Sequence, residues 1–114
     1  MQPISADRFE RLVGKALDEF PDELWARMTN VAVVVEDEHP GDPTLLGLYE
    51  GIPLTDRWDY AGVLPDRIAV YRIPLCRMCA DDDELVCQIR ITVLHEFAHH
   101  VGLDDRALHD LGWD

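Results

Sequence analysis

The sequence predicts an α+β fold: a small three-stranded sheet, with a fourth strand as the alternative, packed on an N-terminal helix and a long helix near the C-terminus. Three observations carry this. Phe9, Leu12, Val13, Ala16, Leu17 and Phe20 recur at helical spacing. Three strand-like runs, VAVVVE, LLGLYEG and RIAVYRIPL, follow in the middle of the chain. Helical spacing returns from Asp82, giving the order α, β, β, β, α.

Each element has its own signal. Ser5 offers a hydroxyl cap to the first helix and Pro21 stops it. PDELWARM can add a short helical turn. VAVVVE, residues 31–36, is β-branched and nearly continuous, the pattern of a strand buried on both faces, and is expected at the centre of the sheet. LLGLYEG, 45–51, is a shorter strand, followed by a loop through IPLTDRWDYAGVLPD. RIAVYRIPL, 67–75, alternates, with Ile68, Val70 and Arg72 on one face and Ala69, Tyr71 and Ile73 on the other. In the last long helix Asp82, Asp83 and Glu84 sit where the macrodipole favours acids. Leu85, Ile89, Val93 and Phe97, flanked by Val86 and Leu94, mark its buried face.

At 114 residues the chain, 1–114, reads as one domain with one core. A 47% hydrophobic content places it among globular proteins. The formal charge of -13 repels phosphate backbones and anionic membrane surfaces, so neither nucleic acid nor membrane is an expected partner. No segment has the pattern of a secretory signal or a bilayer span, and a cytoplasmic setting is expected. Three cysteines, Cys76, Cys79 and Cys87, make a poor disulfide framework. The Cys76–Cys79 pair has the spacing of a redox motif or of half a zinc knuckle, but ordinary thiols are the favoured reading. Nothing in the sequence sets an oligomeric state.

The chemistry concentrates in HEFAHHVGLDD, residues 95–105. His95 and His99 are four residues apart. On a helix that spacing leaves them only ~40° apart around the axis and one turn along it, so both imidazoles can reach one ion. Zinc takes neutral imidazole nitrogens and, in catalytic sites, three protein ligands with one position open. Glu96 lies ~100° round the helix, beside an ion and not under it, where its carboxylate can take a proton from water the ion has acidified. Gly102 suits a positive-φ helix end, and the reversal it permits can return Asp105 to the same ion. Either Asp104 or Asp105 could instead cap a short helix through RALHDLG.

The pattern H-E-x-x-H-x-x-G-x-x-D, with the stretches GLYEGIPLT (47–55), LPDRIAVYRIPL (64–75), TVLHEFAHHVGLDD (92–105) and LHDLGW (108–113), resembles the zincin metallopeptidases of the aspartate-ligand type. More closely it is similar to the minimal bacterial zincin-like metallopeptidase domains. The resemblance implies a zincin-like fold with a small sheet on the motif helix, zinc held by His95, His99 and Asp105, and Glu96 as catalytic base. It implies a peptide or protein substrate.

Other polar residues have plainer readings. His100 suits a helix C-terminus, with a contact to Glu96 as the alternative, and His109 reads as a surface residue. Tyr49, Tyr60 and Tyr71 could donate to an oxyanion but sit where aromatics are usually core. No methionine follows Met78, so Trp113 either floors the two histidines or seals the core. The function expected is zinc-dependent peptide hydrolysis with Glu96 as general base. One rival is a weak or inactive metal-binding domain acting through a protein partner. Another is a redox module built on Cys76 and Cys79.

Overall fold

A computed structural model gives the placement of residues 1–51 and 65–114; Tyr60 and nearly all of the expected loop lie outside these described residues. Helix α1, Ala6–Asp18, starts at Ser5, whose hydroxyl accepts the Arg8 N–H as the sequence predicts, and buries Phe9, Val13 and Ala16. Pro21 both follows that helix and opens α2, Asp22–Arg27. Strand β1 is Val31–Glu36, β2 is Gly47–Glu50 and β3 is Asp66–Tyr71. Helix α3, Arg72–Met78, follows β3 directly; α4 is Asp82–Val101 and α5 is Asp105–Leu111. The described residues thus hold five helices and three strands.

The strands form one mixed sheet in the order β1-β3-β2, with β1 parallel and β2 antiparallel to β3. This corrects one expectation. Among the described residues VAVVVE is an edge strand, with all six residues half-buried, and β3 is central with Ile68 to Tyr71 buried. Val31, Val33 and Val35 pack on the core. An unbroken apolar run tolerates a half-covered outer face as readily as a fully covered one, so the run alone does not mark the centre.

A second correction lies at the end of β3, where the chain turns helical at Arg72 instead of extending to Leu75. Pro74 is the third residue of α3, within the first turn, where no N–H is needed; in a central strand it would delete a ladder hydrogen bond. Arg72 leaves the expected strand face, donating to Asp37 and to the Ile4 carbonyl oxygen.

Helix α4 is the spine of the molecule. Asp81 Oδ1 accepts the Glu84 N–H and Glu84 Oε2 accepts the Ala80 N–H, a reciprocal cap worth ~1 kcal/mol. Its predicted face is buried: Leu85, Val86, Ile89, Val93, Leu94 and Phe97 pack against α1, α3, β2 and β3. Each large apolar side chain so buried contributes roughly 1.5–3 kcal/mol. No helix among the described residues is long and apolar enough to cross a membrane.

Cys76 and Cys79 are buried at the end of α3, Cys87 is exposed, and all three are free thiols. Burial, reinforced by the Glu84 carboxylate, pushes the Cys79 thiol up, which lowers its thiolate fraction at any working pH. A thiol reagent is therefore expected to titrate one cysteine in the native protein and three in denaturant. A count of one in denaturant would restore the disulfide reading of the pair.

Candidate metal centre

The last turns of α4 carry His95, Glu96 and His99 to one wall of a shallow depression, whose opposite wall is the approach to β2 from Asp42 to Gly47. The strand comes very close. A Cβ on Gly47 would stand 2.5 Å from Thr92 Cγ2, 3.1 Å from the Ala69 carbonyl oxygen and 3.7 Å from Glu96 Cγ. Only a residue without a side chain lets β2 lie against the motif helix at this distance.

That closeness is used. The Tyr49 N–H donates to Glu96 Oε1 at 3.1 Å, so the edge strand holds the carboxylate in place. The Tyr49 ring stacks on His100, with centroids 3.8 Å apart and 9° between planes, and its hydroxyl donates to Asp66 Oδ2 at 2.7 Å. His100 is thus a packing partner of β2. Tyr49 is committed to Asp66, and Tyr71 is buried in the core, where desolvation pushes its phenol up.

Gly102 ends α4 at φ 79°, with the Leu103 N–H donating to the Ala98 carbonyl oxygen at 2.8 Å. The chain then reverses into α5. Asp104, not Asp105, is the cap: its Oδ1 accepts the Ala107 N–H at 2.8 Å. Asp105 is left with a carboxylate that is 92% exposed, and its Oδ1 stands 3.9 Å from His95 Nε2, whose side chain is 45% exposed.

The structure therefore brings His95 and Asp105 together. His99 lines both the depression beside Glu96 and the one beside Asp104 and Asp105. As placed, no three His, Cys, Asp or Glu side chains among the described residues converge tightly enough to hold an ion. Two donors of a tetrahedral zinc at ~2.0–2.1 Å stand ~3.3 Å apart. The His95–Asp105 separation is close to that, and an exposed imidazole such as His99 keeps its rotamer freedom. The donor set, two imidazoles and a carboxylate, is one that zinc accepts in catalytic sites.

The family model described as Zincin-like metallopeptidase matches residues 28–113. The chain belongs to the zincin-like metallopeptidase family. Membership in this family implies a metal ion, typically zinc. Among solved structures, the chain is similar to a conserved hypothetical protein from T. thermophilus, at 23% identity over 86% of this chain and 94% of that one, with a TM-score of 0.58. That likeness shows that the two chains share a fold. No curated protein matches the chain.

Two positions at the site carry sequence signals that the helix motif overshadows. Gly47 sits inside a strand pattern, a usual mark of close backbone approach. Asp42-Pro43-Thr44 is a side-chain-capped turn, in which Asp42 Oδ1 accepts from the Thr44 N–H at 3.0 Å and from its hydroxyl at 2.6 Å. Trp113 is 5% exposed and belongs to the core, with the Arg27 guanidinium 5.3 Å from its ring centroid. His109 is a surface residue paired with Asp114.

Proposed function

We propose that this zincin-like protein is a zinc-dependent peptidase in which His95, His99 and Asp105 hold the ion and Glu96 is the general base. The observation that supports it most is Glu96 itself, fixed at Oε1 by the Tyr49 N–H on the wall that also carries His95 and His99. A structural zinc site has no use for an anchored, unligated carboxylate there.

When bound, zinc supplies a Lewis acid that polarises a peptide carbonyl and acidifies water towards a pKa of about 7. Glu96 Oε2 accepts the proton of the attacking water, while Oε1 stays on Tyr49. The same oxygen returns a proton to the leaving amine, so the peptide bond and water yield a carboxylate and an amine. The substrate is an extended peptide laid along the depression beside β2. Three free thiols support a cytoplasmic setting.

The test joins metal content to turnover. One zinc per chain is expected by elemental analysis, with cleavage of a broad peptide library. His99→Ala and Asp105→Ala should each lose most of the metal, because two ligands rarely hold zinc. Asp104→Ala should keep the metal and lose ~1 kcal/mol of stability with its cap. Metal retained in Asp105→Ala would place the third ligand elsewhere. Full zinc without turnover on any peptide would favour a metal-binding domain that acts through a protein partner.

A further inference from the structure

Asp42 lines the same depression as the motif residues. Leu45, Leu46 and Ile91 line it as well, an apolar surface in the same depression as the acid. The carboxylate is anchored through Oδ1 alone, since both Thr44 groups donate to that one oxygen. Those two hydrogen bonds hold the carboxyl below the usual carboxylate range.

Its charge is uncompensated by any arginine or lysine among the described residues. Arg67 pairs instead with Glu50 and Glu36, and Arg72 with Asp37. His39, on the same loop, turns Nδ1 to accept the Gly41 N–H and lies edge-on to Tyr71. An apolar lining that also carries a fixed anion matches a side chain with an apolar body and a cationic head.

We propose that Asp42 is a specificity-determining residue that pairs with the cationic head of a lysine or arginine side chain of the bound peptide, whose stem lies on Leu45, Leu46 and Ile91. The inference rests on the peptidase reading of this cleft. A free peptide α-amine offers the same charge but no stem, and the apolar lining favours the side chain.

The experiment uses the full chain carrying Glu96→Gln, incubated with zinc, so that peptides bind without being cut. Peptides of one sequence and blocked ends carry lysine, or norleucine, which keeps the four-carbon stem without the ammonium, at each position in turn; a third set carries norleucine and a free N-terminus. At one position lysine should bind ~3- to 5-fold tighter than norleucine, the scale of an exposed ion pair, and the advantage should shrink as salt rises. Adding Asp42→Asn, which keeps an Oδ1 acceptor for Thr44, should bring the ratio to near one. Equal binding of lysine and norleucine peptides at every position overturns the proposal. So does a lysine preference that survives Asp42→Asn, or no binding by any peptide. A gain confined to the free N-terminus would assign the cation to an α-amine and refute the side-chain assignment. Wild-type cleavage of the same peptides is read separately. Selective binding without cleavage removes the peptidase reading and leaves the subsite standing; cleavage without preference does the reverse.

Discussion

Glu96→Gln is expected to leave zinc content and thermal unfolding unchanged while lowering peptide turnover by ~10²- to 10⁴-fold, the usual contribution of a positioned general base. The amide is nearly isosteric, and its Oε1 can still accept the Tyr49 N–H that holds Glu96 at 3.1 Å. What it lacks is the second carboxylate oxygen, and an amide nitrogen cannot take a proton at neutral pH. Magnitude separates this from a structural cause. Losing the Tyr49 hydrogen bond alone would cost roughly 0.5–1.5 kcal/mol, about a tenfold effect at most. A hundredfold loss or more corresponds to at least ~2.7 kcal/mol at the transition state and requires the base itself. Turnover within tenfold of wild type, in a variant holding full metal, would exclude Glu96 from the proton transfer.

Helices α1 and α4 are legible in the sequence because their signals are local, whereas α3 is read as strand. Ser5 and Gly102 cap the helices they adjoin, and the apolar register of α4 needs only 3.6-residue spacing. The same spacing places His95, Glu96 and His99 without any tertiary contact. Strand order is a different kind of information. VAVVVE and RIAVYRIPL are both apolar enough for a central position, and pairing partners decide between them; β2 and β1 both pair with β3. Pro74 carries a local signal against extending β3, but in the sequence the alternation of Ile68 to Ile73 outweighs it, and the turn at Arg72 reverses that weighting. The ambiguity between Asp104 and Asp105 is likewise tertiary in origin. Either residue can cap α5, and only the path of the chain after Gly102 assigns the cap to Asp104 and frees Asp105.

Gly47→Ala is expected to destabilise the protein by ~1–3 kcal/mol, the scale of forced overpacking, and to slow turnover as well. The sign is the informative part. Glycine within a strand normally costs ~0.5–1 kcal/mol relative to alanine, so without a close contact the substitution should stabilise. Here the new Cβ would meet Thr92 Cγ2 at 2.5 Å, with the Ala69 carbonyl oxygen next at 3.1 Å. To relieve the first contact β2 must move off α4, and the Tyr49 N–H moves with it, away from Glu96. A displacement on the order of 1 Å at a catalytic group can cost about 10²-fold in rate. The cause can be isolated with Thr92→Ser, which deletes the clashing methyl and by itself should cost about the ~0.8 kcal/mol of one buried methylene. Combined with Gly47→Ala it should recover stability and turnover beyond additivity, by a coupling of roughly 0.5–3 kcal/mol. The Ala69 oxygen at 3.1 Å then requires a shift of only a few tenths of an ångström. Additive losses in unfolding free energy would show that the Thr92 methyl is not what excludes a side chain at residue 47, and the link from strand position to the Glu96 carboxylate would fail with it.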